Sequence, residues 1–145
     1  MDRQRLQQQI ATTRQSLFDE GILDQHFLVL EDLEKEGNPD FVVDLISIAY
    51  FRDSFKWLAI IEEEMQKTSF DFDMVNNRLY QLKGSSASIG AIRVKNAVME
   101  VQKHFQQGNL EGFKTTLQDL KMEHGILKAK LDAYFELLNQ LESAH

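Results

Sequence analysis

Cysteine is absent from this 145-residue chain, which removes disulfide staples and thiolate metal sites together. Proline occurs once and glycine seven times, so little interrupts long regular elements. No apolar run approaches the roughly 20 residues of a membrane span; Trp57 to Ile61 is among the longest. The first residues, Met1-Asp2-Arg3-Gln4-Arg5-Leu6-Gln7-Gln8, lack the apolar stretch of a secretory signal, so an intracellular protein is expected. Positive charge is in deficit, 16 Lys and Arg against 23 Asp and Glu. The resulting net charge of −7 argues against nucleic acid or an anionic membrane surface as the main partner. What is present is the composition of a folded protein, 43% hydrophobic and 27% charged. The length suits one well-cored domain over residues 1–145 and is short for two.

Helical periodicity runs through the chain, and no segment alternates with a strand's period of two. Leu6, Ile10, Thr13 and Leu17 mark a first amphipathic helix that Gly21 ends. Asp24 is placed to cap a second, carrying Phe27, Leu28, Leu30 and Leu33 as far as Gly37. Asn38-Pro39 signals the start of a third, with Phe41, Leu45, Ile48, Phe55, Leu58 and Met65 on one face; Ile46, Phe51, Trp57 and Ile61 widen it, so contact on more than one side is expected. It can run to Lys67, roughly 43 Å at 1.5 Å per residue. Asp71 is placed to cap a fourth, whose apolar stripe is Phe72, Val75, Leu79, Leu82, Ser86 and Ile89. Gly90 turns the chain into a fifth helix on Ala91, Val94, Val98, Val101 and Phe105, which stops at Gly108-Asn109. The last carries Leu110, Phe113, Leu117, Leu120, His124, Leu127, Leu131, Tyr134, Leu138 and Leu141, roughly 45 Å long. Six helices with short connections predict an all-α fold. Residues 38–145 form an antiparallel, up-down-up-down four-helix bundle, and the two helices of residues 1–37 cover the overhang of its long members.

One stretch of the fourth helix stands out. Gly84 sits in mid-helix, where glycine costs about 1 kcal/mol relative to alanine. With the apolar stripe turned inward, Asn76, Asn77, Tyr80, Lys83, Gly84 and Ala87 form the solvent-facing stripe. A bare patch of backbone between a tyrosine and a lysine is a landing place for a partner. A phosphate-loop reading of Gly84 to Gly90 fails, because no Gly-Lys-Ser/Thr and no preceding strand is present. The serines at 85, 86 and 88 have no histidine near them in sequence and are read as small residues for close packing. The histidines, His26, His104, His124 and His145, lack metal-ligand spacing, so no metal and no cofactor is expected. His124 lies on the seam of the last helix and reads as a buried histidine bonded to a neighbour; His104 is expected to be exposed. The heptads of the last helix could drive self-association, but packing within the bundle accounts for them, and a monomer is expected.

Gln81-Leu82-Lys83-Gly84-Ser85-Ser86-Ala87-Ser88-Ile89-Gly90-Ala91 resembles the signature of plant histidine-containing phosphotransfer proteins. In that family a histidine precedes Gln-Leu-Lys-Gly-Ser-Ser, and a short run of small residues leads to Ile-Gly-Ala. Arg93-Val94-Lys95-Asn96-Ala97, the helix start Asn38-Pro39-x-Phe41 and the Gly-x-Leu-Asp-x-x-Phe pattern from Gly21 to Phe27 also resemble it. The resemblance covers essentially the whole chain. It implies a six-helix fold with a four-helix bundle, and receiver domains of sensor histidine kinases and response regulators as partners. It implies a plant phosphorelay of the cytokinin type, in cytoplasm and nucleus. Where the family has its phosphoaccepting histidine, this chain has Tyr80. A phenol, with an ordinary pKa of about 10, is only ~0.1% ionised at pH 7, whereas an imidazole is largely neutral and nucleophilic there. The resemblance therefore implies a pseudo-phosphotransfer protein, not an enzyme, that docks receivers through Tyr80, Lys83, Gly84, Asn76, Asn77, Ala87 and Gln81. Phe27 or Leu28 on the second helix is a further docking candidate, although both also fit the core. The alternatives are an active mediator using His104 or Tyr80 itself, and a helical adaptor unrelated to receivers.

Overall fold

The computed structural model describes residues 2–143; His145 lies outside them. Six helices follow in order: α1 (Arg3–Asp19), α2 (Gln25–Lys35), α3, α4 (Phe72–Ile89), α5 (Ile92–Gln106) and α6 (Leu110–Ser143). Helix α3 has three joined parts, Phe41–Val43, a π-helical segment Asp44–Tyr50, and Phe51–Met65. No strand occurs among the described residues. Helices α3 to α6 form the antiparallel bundle, each packed on the next. Helix α1 lies along α6, and α2 packs on the start of α3 and on α4.

The aspartates mark helix starts as expected. Asp24 accepts from the His26 amide (2.9 Å) and Asp71 from the Met74 amide (3.1 Å). Asn38-Pro39 opens a turn rather than the helix itself. The Asn38 side chain accepts from the Asp40 amide (2.9 Å), and α3 begins at Phe41. Between α3 and α4 the buried carboxylate of Glu64 accepts from Lys67 Nζ (2.8 Å) and from the Asp71 amide (2.7 Å). The Lys67 bond first, then the Asp71 amide, holds this carboxyl below its usual range. At the other end of α4, Gly90 is left-handed (φ +82°). A Cβ there would stand 2.7 Å from the Phe27 amide nitrogen and 2.9 Å from Asp24 Oδ1. Glycine is required at that point, because α2 begins against it and the Asp24 amide donates to the Gly90 carbonyl (2.9 Å).

The apolar stripes of α4, α5 and α6 are largely buried as the periodicity predicts, with Phe72 and Leu110 exposed at the ends and Leu138 and Leu141 only partly buried. Phe72 instead stacks on Phe105, with ring centroids 4.4 Å apart. Helix α3 departs from expectation. Ile48 (59% exposed) and Phe55 (48% exposed) belong to the face predicted to be inside. The buried positions are Val42, Ile46, Tyr50, Ser54 and Leu58, every fourth residue, with Phe51, Ile61 and Glu64 beside them. Four residues of an α-helix turn about 400°, so such a row drifts by about 40° per step. The wider turns of the π-helical segment absorb that drift, which a constant helical period does not anticipate.

This row carries two polar groups into the core. Tyr50 Oη bonds Ser86 Oγ of α4 (2.8 Å), and Ser54 Oγ bonds His124 Nε2 of α6 (2.7 Å). Burial pushes the Tyr50 phenol up to about 12. Burial first, then the neighbouring Lys128 charge, lowers His124 to about 4. Helices are also pinned by Arg14–Glu31 (α1 to α2, 2.6 and 3.1 Å), Arg93–Glu123 (α5 to α6, 2.7 and 2.8 Å) and Lys121–Glu62 (α6 to α3).

His124 makes the bundle acid-sensitive. Its folded pKa of about 4 lies below the unfolded value of about 6.5. Its contribution is therefore complete above pH 6.5 and is lost as pH falls from 6.5 to 4, in total about 3 kcal/mol. Denaturant unfolding at pH 7.5 and pH 4 should show a larger loss for the wild type than for His124→Gln, by about that amount.

Candidate functional site

Helix α4 can present a functional face because its other side is fully committed. Val75, Leu79, Leu82, Ser86 and Ile89 are buried, which turns Asn77, Tyr80 and Gly84 outward. Asn76, Gln81, Lys83 and Ala87 are half-buried along the flanks of the same stripe. Tyr80 is 67% exposed, more than any other large hydrophobic or aromatic side chain among the described residues. Lys83 Nζ lies 5.8 Å from the centre of its ring, a cation–π contact worth about 0.5–1 kcal/mol at such an exposed site. The Tyr80 hydroxyl has no hydrogen-bond partner among the described residues, so no protein base stands ready to take its proton.

Gly84 differs from Gly90. A Cβ at position 84 would meet nothing within 4 Å, and the backbone there is ordinary helix. Neither packing nor conformation calls for glycine. What its absent side chain provides is open backbone on the outside of the helix, next to Tyr80 and Lys83.

The serines of this stretch serve structure. Ser86 is buried and bonded to Tyr50, and Ser88 Oγ donates to the Ser85 carbonyl (2.8 Å). Gln81 Oε1 accepts from Arg78 Nη1 (3.0 Å), while Arg78 Nε is buried without a partner. Arg78 adds a cation beneath the stripe that the periodicity alone did not single out.

His104 is half-buried rather than exposed. Its Nδ1 lies 3.2 Å from Asn109 Nδ2, and Gly112 packs so closely against its ring that a side chain at 112 would displace His104 and Asn109. It lines a small apolar cleft with Phe72 and Phe105, to which no residue of the Tyr80 stripe contributes. The structure therefore does not bring His104 and Tyr80 into one site. Phe27 is corrected as a docking candidate: it is completely buried, with its ring edge-on to Phe18. Its neighbour Leu28 is 40% exposed, and Val29 and Leu33 are exposed on the same helix. Their signal in sequence was an α2 with more apolar residues than one buried face can use.

No family model matches the chain. Among curated proteins it is 40% identical over 141 residues to pseudo histidine-containing phosphotransfer protein 2 of Oryza sativa subsp. japonica, covering 97% of this chain and 93% of that protein. It is 40% identical over 117 residues to histidine-containing phosphotransfer protein 4 of Arabidopsis thaliana, covering 81% and 91%. The chain belongs to the plant histidine-containing phosphotransfer family. The crystal structure of a family protein from Medicago truncatula superposes with a TM-score of 0.89 at 32% identity, over 96% of this chain and 94% of that one. One from maize does so with 0.87 at 29% identity. The six helices and the bundle are thus the family fold, and the relatives' names place the family in phosphotransfer.

The open space at Gly84 has a direct consequence for stability. Gly84→Ala should stabilise the protein by about 1 kcal/mol, read as a raised denaturation midpoint with an unchanged helical spectrum.

Proposed function

We propose that this chain is a pseudo-phosphotransfer protein: it docks receiver domains on the Tyr80 stripe of α4 and does not accept their phosphate. The observation that carries this reading is an exposed Tyr80, with no partner for its hydroxyl, beside the open backbone of Gly84. A receiver presents an aspartyl phosphate, and transfer needs a neutral nucleophile aimed in line. An imidazole meets that need near pH 7 and forms a labile phosphoramidate from which onward transfer is downhill. A phenol without a base does not attack, and its phosphate ester would be a poor donor to an aspartate.

The accessory parts remain in place. Lys83 offers positive charge beside an incoming phosphoryl group. Gly84 lets a partner's backbone approach, with Asn76, Asn77, Gln81 and Ala87 around it and Leu28 on the adjoining helix. Docking without relay makes the protein a competitor for receivers of sensor kinases and response regulators. Its setting is a plant multistep phosphorelay of the cytokinin type, in cytoplasm and nucleus. Relatives named as pseudo-phosphotransfer proteins in rice support this reading.

The test is incubation with a receiver domain carrying aspartyl phosphate. The wild type should bind it and acquire no acid-labile phosphate, Tyr80→His should acquire it, and Gly84→Trp should lose at least about tenfold in affinity. Phosphate on the wild type that disappears in His104→Ala would overturn the proposal in favour of an active mediator. Undiminished receiver binding by Gly84→Trp would remove the docking face.

A further inference from the structure

A second surface is built on different chemistry. Helix α2, the start of α3 and the C-terminal half of α6 enclose a cleft of about 730 Å³. No residue of the Tyr80 stripe lines it. Its apolar floor includes Val42, Phe135 and Leu138. Six carboxylates line it, from Glu31, Glu34, Asp40, Asp132, Glu136 and Glu142, and no Lys, Arg or His does. Arg14 bonds Glu31 and Lys128 bonds Asp132, which leaves four without a cationic partner among the described residues. The walls are fixed: Arg14 ties α1 to α2, and Glu34 Oε2 accepts from the Val42 amide (3.0 Å).

Acidity alone would be only a solvated rim. The second observation is Tyr134, which lines the cleft and is 4% exposed, yet its hydroxyl has no hydrogen-bond partner among the described residues. The side chain is buried but its oxygen is not sealed off: it opens into the cleft, where only water or an entering group can bond it. Burial, followed by the charge of Glu31, pushes this phenol up to about 12, so it stays protonated and its oxygen keeps lone pairs to offer. An unused acceptor, carboxylates without cationic partners and an apolar floor match a cation on a hydrocarbon stem. They do not match a metal ion, since no three His, Cys, Asp or Glu among the described residues are placed to share one.

We propose that this cleft receives a lysine- or arginine-bearing segment of a partner protein. The cation donates to the Tyr134 hydroxyl among Glu34, Asp40, Glu136 and Glu142, and its stem lies on Phe135 and Leu138. The site is separate from the Tyr80 stripe, so the chain can hold a basic partner there independently of what docks on α4.

A fluorescently labelled amphipathic Lys/Leu peptide, titrated with the full chain at moderate salt, tests this. Tyr134→Phe should weaken binding about five- to tenfold, the loss of one charge-assisted hydrogen bond. It removes a hydroxyl that bonds nothing among the described residues, so its melting curve should match the wild type's. Glu136→Gln with Glu142→Gln should weaken binding by about tenfold or more, whereas Glu100→Gln with Glu111→Gln, the same charge change elsewhere, should stay within about twofold. Equal losses from the two pairs would reduce the effect to diffuse attraction by a negative protein and overturn the site. So would wild-type affinity in Tyr134→Phe. Spermidine binding as tightly as the peptide would overturn the protein-segment occupant.

Discussion

A polar group taken out of water must find a partner, and α3 carries two such groups into the centre of the bundle. Tyr50 meets Ser86 on α4, and Ser54 meets His124 on α6. Leaving either donor or acceptor unpaired costs about 1–3 kcal/mol, more than slipping a few apolar contacts. These two bonds therefore fix the rotation of α3 about its axis more sharply than its hydrophobic residues do. Ser86 lies on the inner side of the helix that carries Tyr80 and Gly84, so the face turned to partners is held from behind by the same bond. The π-helical turns of α3 are the local adjustment that lets both bonds form at once.

That adjustment separates what was legible from what was not. The helices α4, α5 and α6 obey one period from end to end, so their buried residues could be read from spacing alone. Helix α3 does not, and the same method placed Ile48 and Phe55 inside when both reach solvent. A residue's type does not announce a π turn; the deciding facts are the positions of Ser86 and His124 on other helices. His124 was legible for the opposite reason. A histidine in the middle of an unbroken leucine seam has to be buried, and burial requires a partner.

At the site, Gly84 was readable because its cost is local: glycine in mid-helix is unfavourable wherever the fold puts it. The structure adds that nothing packs there, which removes the one structural excuse for it. Phe27 and Leu28 were indistinguishable in sequence, adjacent and both apolar. They part because the close approach of Gly90 to the start of α2 drives Phe27 inward and leaves Leu28 on the rim. Arg78 and Tyr134 were beyond sequence reasoning. Each matters for an unused hydrogen-bonding atom, and such vacancies are visible only once every neighbour has a position.

The wide turns of Asp44–Tyr50 also bear on how chain length can vary in this fold. A π turn holds one residue more than an α-helical ladder needs. Deleting a single residue within that stretch would let the ladder close as ordinary α-helix, with both ends of α3 still facing their present neighbours. The same deletion elsewhere in α3 would swing everything after it by about 100° around the axis. A relative one residue shorter could thus share this bundle without any repacking, provided the gap falls between Asp44 and Tyr50.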